Sequence, residues 1–276
     1  DLVDALEDLR YDSLWLSERL TGDAPDPLTA LAFAAGRTAK LKLGTSVLVL
    51  PGRNPVVLAK EMASLDRLSG GRFLPAVGLG APTPAEHQAF GVERSERAGW
   101  FDEALGLMRR LWTEDRVTHH GERFRVDDVA LRPKPVQQPI DVWLGGQAPS
   151  ELRRVGRLGD GWLPSFCTVD DVAEGWALVT ETAAAHDRVI DPEHLGTLVT
   201  YTHRAIPERI TALLAARRPG IAPEQVVPRG LDALRERLVA LTDAGASKFV
   251  VVPLEEPDDW SSELGAVMDA VGDLRN

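Results

Sequence analysis

The sequence predicts an α/β chain of the (β/α)8 TIM-barrel class, and three observations predict it. Short β-branched, apolar runs alternate with helix-period stretches from Tyr11 to the C-terminus. These runs lack the polar alternation of half-exposed strands, as expected of parallel strands buried on both faces. No repeat, linker or low-complexity segment divides the chain, so 1–276 reads as one domain with a small excursion at about 113–139.

Each element has a local reason. Leu2, Ala5, Leu6 and Leu9 follow i, i+3, i+4, i+7 spacing, so the chain opens on a helix. YDSLWLS (11–17) reads as a strand, and Leu28, Leu31, Ala32 and Ala35 place a helix over 27–39. GTSVLVLP (44–51) is a buried strand that runs into the polar corner Pro51-Gly52-Arg53-Asn54-Pro55. A helix follows from about Pro55 to Leu68, capped by Asn54 and stopped by Gly70-Gly71. RFLPAVGLG (72–80) is the next strand, with Pro75 predicting a local irregularity. A helix over 95–112 buries Phe101, Ala104, Leu107, Met108 and Leu111, and VTHHGERFRV (117–126) forms a hairpin or extended excursion turning at Gly121.

The second half continues the alternation. Strands are expected at 140–145, 160–165, 195–203 and 248–253, with helices at 149–158, about 170–187, 207–217, through Leu231–Leu241, and at the C-terminus. That makes seven strands with a helix before the first. A closed barrel needs an eighth, expected upstream of Asp1.

Composition narrows the function. The net charge of −11 argues against nucleic acid, because phosphate backbones need a basic face. No apolar run reaches the roughly 18 residues of a membrane span. The acidic, amphipathic DLVDALEDLR does not read as a signal peptide. A single cysteine, Cys167, permits no intramolecular disulfide and fits a cytoplasmic setting. No H-x-H or H-E-x-x-H pattern occurs, and His119 and His120 would point opposite ways in a strand, so no metal site is expected. There is no G-x-S-x-G.

In a barrel the chemistry lies at the C-terminal strand ends. The segments surveyed there are SERL (17–20), SVLVLPGRNP (46–55), GLGAPT (78–83), WLGGQAP (143–149), LPSF (163–166) and VPLEE (252–256), and none holds a histidine. In WLGGQAPSEL a strand ends in Gly145-Gly146 and a helix begins within three residues. Two glycines let backbone approach a ligand, and free N–H groups at a helix start attract an anion such as phosphate. A tight turn with no ligand explains the same residues. Trp143 reads as core, whereas Trp162, one step from a strand end, reads equally as core or as pocket lining.

Taken in order, SLWLSE, LGTSVLVLPGRNPVVLAKEMASLDRLSGGR, RPKPVQQPIDVWLGG and GRLGDGW resemble the bacterial luciferase-like superfamily, and within it the actinobacterial oxidoreductases that use coenzyme F420. The resemblance spans nearly the whole chain. It implies a (β/α)8 barrel, and it implies that the strand GTSVLVLP carries a bulge, often with a non-proline cis peptide, against the middle ring of the cofactor. The matching bond is Ser46–Val47. Val49 and Gly80 match positions lining the ring pocket. Gly145, Gly146, Gln147 and Ala148 match the positions holding the cofactor's phosphate-bearing tail, and Glu18 falls near the ring's polar edge. Relatives acting on sugar phosphates have a His after the residue matching Glu18 and a Glu after the fourth strand; here these are Arg19 and Ala81. Arginine stays protonated and is no general base. Arg19 is therefore expected to supply positive charge beside Glu18 in catalysis, or else to pair with Glu18.

The resemblance thus implies an F420-dependent oxidoreductase transferring hydride to or from an unknown small-molecule substrate, acting as a homodimer. An FMN-dependent monooxygenase, which would need a flavin reductase partner, is the alternative. A non-catalytic barrel binding a flavin-like ligand is the third reading.

Overall fold

The computed structural model describes every residue except Asp1, Pro82 and Asn276, and the backbone alone of Arg217. The chain divides into two compact units, Leu6–Leu144 and Gly145–Asn276 with Asp1–Ala5.

Helix α1 (Leu2–Asp8) opens the chain. The Leu6–Leu144 unit continues with β1 (Ser13–Leu16), α2 (Pro27–Arg37), β2 (Lys42–Val49), α3 (Pro55–Leu68), β3 (Phe73–Gly78), α4 (Pro84–Phe90), α5 (Arg97–Thr113), β4 (Val117–His120), β5 (Arg125–Val129) and β6 (Trp143–Leu144). Strands β1, β2, β3 and β6 lie side by side, all parallel, and β4 and β5 form an antiparallel hairpin. The hairpin falls where the excursion was expected. Leu43, Leu48 and Phe73 on the strands and Leu58 and Met62 on α3 are buried.

Local chemistry sets the boundaries. Asn54 Oδ1 accepts from the N–H groups of Val56 (2.9 Å) and Val57 (3.2 Å), and Pro55 occupies the first turn of α3, where a missing N–H costs nothing. The helix ends into Gly70 and Gly71, both at positive φ. Gly44 serves packing instead: a Cβ there would lie 2.3 Å from the Trp15 ring. That ring cannot withdraw freely, because its Nε1 donates to Ser13 Oγ (2.8 Å) and it packs on Trp143 with centroids 6.4 Å apart. Gly44→Ala is therefore expected to destabilise by about 1–3 kcal/mol through overpacking, read as a lowered Tm.

Pro75 corrects one expectation. It pairs in register with Thr45, and the strand stays regular there. Thr45 Oγ1 donates to the Ala76 carbonyl (2.7 Å) and accepts from the Ala76 N–H (3.0 Å), so a buried hydroxyl stitches the strands beside the proline. The irregularity lies in β2 instead, as a register shift between Ser46 and Leu48.

The second unit contains α6 (Pro149–Leu158), β7 (Gly161–Trp162), α7 (Val169–Ala184), β8 (Gly196–Tyr201), α8 (Glu208–Arg217), α9 (Gly230–Asp243), β9 (Lys248–Pro253) and α10 (Trp260–Val271). β8 and β9 pair in parallel, and Trp162 and Ser165 form parallel bridges to Leu195 and Leu198. Strands β6 and β7 are shorter than expected, two residues each. Helix α4 was not foreseen. Thr83, whose side chain accepts from the Glu86 N–H, starts it, and Gly91 in the left-handed region ends it. Among the described residues no helix is long and apolar enough to cross a membrane.

Candidate active site

Two constellations hold the residues singled out in the sequence, one in each unit. In Leu6–Leu144, β2 is buried along most of its length, yet Ser46 and Val47 are only half-buried. They sit at the register shift, and the bond between them is cis, as the resemblance implied. Leu79, Gly80 and Ala81, past the end of β3, are also half-buried; Pro82, in the same surveyed segment, lies outside the described residues. Gly80 has φ of +84°, and a Cβ there would come within 2.9 Å of Val49 Cγ1. Backbone and small apolar side chains thus make up this surface, which suits the face of a flat ring better than a charged group.

Glu18 holds the corner in place. It is buried, and its Oε2 accepts from the Val49 N–H at 2.7 Å. Arg53 Nη2 donates to Glu18 Oε1, and Arg53 Nε donates to the Val49 carbonyl (3.1 Å). The Glu18 N–H donates to the Val47 carbonyl (3.1 Å), and Ser17 Oγ donates to the Ser46 carbonyl (2.7 Å). Burial pushes the Glu18 carboxyl above the usual carboxylate range, against the pull of the Val49 N–H and the Arg53 guanidinium. Both carboxylate oxygens are engaged, so Glu18 positions the bulge and is not an open acid–base group. The ion pair foreseen for Arg19 belongs to Arg53 instead. Arg19 is exposed, and its carbonyl accepts from the Gly22 N–H (3.2 Å).

In the other unit, the turn before α6 is organised by Glu151. Its Oε2 accepts from the N–H groups of Gln147 (2.9 Å) and Ala148 (3.0 Å). This corrects the expectation of free N–H groups at the helix start, since a carboxylate of the same helix already holds these two. Gly146 has φ of +103°, and a Cβ there would meet that carboxylate at 2.7 Å, so glycine is required on two counts. The Gln147 side chain is held as well, donating to the Ser165 carbonyl and accepting from Arg218 (2.9 Å). Arg218 in turn grips Asp171 through both oxygens, at 2.7 and 2.6 Å. Trp162 is buried, so no face of its ring is open to a ligand; its Nε1 donates to the Gly146 carbonyl at 2.8 Å. Trp162 thus supports the turn from behind.

Histidine needs two corrections. His203 lies just past β8, a strand end the sequence survey passed over. Its Nε2 is 2.8 Å from Glu263 Oε1, which also accepts from the Tyr201 hydroxyl. Burial raises the Glu263 carboxyl, but these two hydrogen bonds more than offset it and hold it below the usual range. The cluster ties β8 to α10. His87, on the unforeseen α4, lines a recess with Val49 and Gly80. His119 and His120 turn to different carboxylates, Glu103 and Asp127. Among the described residues, no group of three or more His, Cys, Asp or Glu could hold a metal ion.

Comparison with known proteins bears on this arrangement. The family model described as luciferase-like monooxygenase matches residues 1–247. An F420-dependent glucose-6-phosphate dehydrogenase of Nakamurella multipartita is 33% identical, covering 98% of this chain and 82% of its own. A protein of the same name from Kineococcus radiotolerans is 33% identical over 66% of this chain and 54% of its own. The chain thus spans about half the length of the first curated relatives it matches. A solved monooxygenase of Streptomyces bottropensis superposes with a TM-score of 0.82 at 22% identity, covering 99% of this chain and 91% of that one. That likeness shows the fold, and it agrees with the fold class expected from the sequence.

Proposed function

This chain belongs to the luciferase-like monooxygenase family, and from that premise we propose that it is an oxidoreductase exchanging hydride between coenzyme F420 and a small organic substrate. The observation that carries the reading is the half-exposed, register-shifted Ser46–Val47 corner in a strand otherwise mostly buried, locked by Glu18 and Arg53. A strand that breaks its own pairing under such firm support is the conflict expected at a functional site. The F420-dependent names of its relatives support the choice of deazaflavin.

Ser46, Val47, Val49 and Gly80 would hold the ring. In the Gly145–Asn276 unit taken by itself, the turn Gly145, Gly146, Gln147 and Ala148 is the part we assign to a phosphate-bearing group, through backbone N–H groups of which Glu151 now holds two. F420 supplies two-electron hydride chemistry at a ring carbon. The chain's part is to fix the ring face, keep the bulge rigid and position the substrate. Arg19, exposed just past β1, offers a permanent positive charge to the ring edge or to a substrate oxygen.

The test is a titration of the purified chain against F420 and FMN side by side. Quenching of F420 fluorescence at micromolar concentration without comparable FMN binding is the expected result, with weaker binding by Arg19→Ala. Tight FMN binding instead would make this a flavin monooxygenase that depends on a reductase. Binding of neither would leave a barrel that handles some other ligand. Unchanged F420 affinity and turnover in Arg19→Ala would remove that side chain from the site.

A further inference from the structure

We propose that the Gly145–Asn276 unit carries a halide site, a recess in which the Arg237 guanidinium and the Thr197 hydroxyl hold one chloride ion. The inference is independent of the F420 reading above.

Two unmet polar atoms mark the place. Thr197, on β8, is 3% exposed, and its hydroxyl oxygen is buried without a hydrogen-bond partner. Arg237 Nε, on α9, is buried and unpartnered in the same way. Buried polar atoms left unmet are costly and rare in native chains. Both residues line one recess formed by β8, α9 and the segment 164–167, with room for about one water-sized species. Phe166, Leu198, Val226 and Leu241 give it apolar walls.

The charge around the recess selects an anion. Arginine stays protonated in proteins, and Arg237 is half-buried, with burial drawing its guanidinium below the usual value. Its Nη2 donates to the Cys167 carbonyl, which carries no net charge. Asp171 is the carboxylate whose field acts on Arg237, but its two oxygens accept from Arg218 at 2.7 and 2.6 Å. Asp171, Arg218 and Arg237 together therefore leave one positive charge unbalanced. Cys167 cannot balance it, because burial pushes the thiol up to about 12 and keeps it uncharged at neutral pH. Charges held away from water are paired in native chains, and one small anion completes this trio.

Hydrogen bonding points the same way. Arg237 Nε can only donate, and the Thr197 hydroxyl can donate as well. An ion accepting from both leaves neither unmet. A water accepting from Arg237 would have two hydrogens to place, with only the Thr197 oxygen among these unmet atoms to receive one. The small volume turns away carboxylates, phosphate and sulfate, which leaves a halide.

The test follows thermal unfolding of the full chain in potassium chloride against potassium gluconate at equal ionic strength. Chloride at about ten times its Kd is expected to raise the wild-type Tm by about 2–4 °C over gluconate. Thr197→Val keeps the side-chain shape and removes the unmet hydroxyl, so its Tm in gluconate is expected at or above that of wild type, with the chloride response lost. Arg237→Gln is expected to lose the response as well. In wild-type crystals grown in bromide, an anomalous peak is expected within hydrogen-bond distance of Arg237 Nε and Thr197 Oγ1. A wild-type chloride response no larger than that of Thr197→Val overturns the proposal. So does a water at that position in the bromide crystals.

Discussion

Glu18→Ala is expected to cost about 3–5 kcal/mol of folding stability, the range for breaking a buried ion pair from one side. The carboxylate side chain is 2% exposed and meets two obligations at once, the Val49 N–H and the Arg53 guanidinium. Removing it leaves a buried donor unmet and a largely covered cation without its counter-charge. The loss lands on the residues flanking Ser46–Val47, so F420 affinity is expected to fall with Tm. Glu18→Gln separates the two obligations. Its amide oxygen can still accept from Val49, but its amide N–H donors then face the Arg53 guanidinium donors, and a loss of about 1–3 kcal/mol is expected.

The pH dependence has a definite sign. Burial raises the Glu18 carboxyl in the folded chain above its unfolded value. Between those two values the native state binds more protons than the unfolded state, so stability falls as pH rises through that window and is regained on acidification. Glu18→Gln lacks this contribution. The wild-type advantage over Glu18→Gln, measured by denaturant titration, is therefore expected to widen as pH drops from 7 towards the carboxylate range. A gap that narrows on acidification would mean that the ion pair with Arg53, not burial, governs this carboxyl.

Much of the architecture was legible because its punctuation is local. Pro55 after Asn54, Pro149 after Ala148 and the glycines at 70 and 71 fix helix ends within a residue or two, since they act on the backbone beside them. The bounds of α3, α6 and β9 coincide with those read from the sequence. What escaped depends on neighbours distant in sequence. The two-residue strands β6 and β7 are defined by which partners pair with them, and no apolar run reports that. Helix α4 spans seven residues, too short for its period to stand out, and it is anchored by Glu86 contacting Thr21 across the fold.

The site divided in the same way. Ser46–Val47 was found through a resemblance carried by a long, specific segment, and the register shift falls there. The partner of Glu18 was misassigned because adjacency in sequence favours Arg19, whereas the structure selects Arg53, 35 residues away. Glu151 could have been suspected, since a glutamate three residues after a helix cap reaches back to its N–H groups. Nothing in the sequence marks the unpartnered Thr197 hydroxyl and Arg237 Nε, because an unmet hydrogen bond exists only once the chain around it is packed.

Trp162→Ala is expected to be the other severe substitution, at about 3–5 kcal/mol, because a fully buried indole leaves a cavity that its surroundings only partly close. Trp162→Phe keeps most of the volume and loses the Nε1 donor to the Gly146 carbonyl, for about 1–2 kcal/mol. The phenylalanine variant should also loosen the turn that carries Gly145 to Ala148, and so weaken F420 binding more than its modest stability loss alone would. A reciprocal test lies on α7. A Cβ at Gly175 would meet Trp162 Cη2 at 2.4 Å, so Gly175→Ala alone should destabilise by about 1–3 kcal/mol. In the Trp162→Ala background the obstructing ring is gone, and the same methyl fills part of the cavity. The double variant is then expected to be more stable than the sum of the two single losses allows, by at least about 1 kcal/mol. Strict additivity would mean that the indole and α7 do not share this contact, and that the turn at Gly146 is held by something other than Trp162.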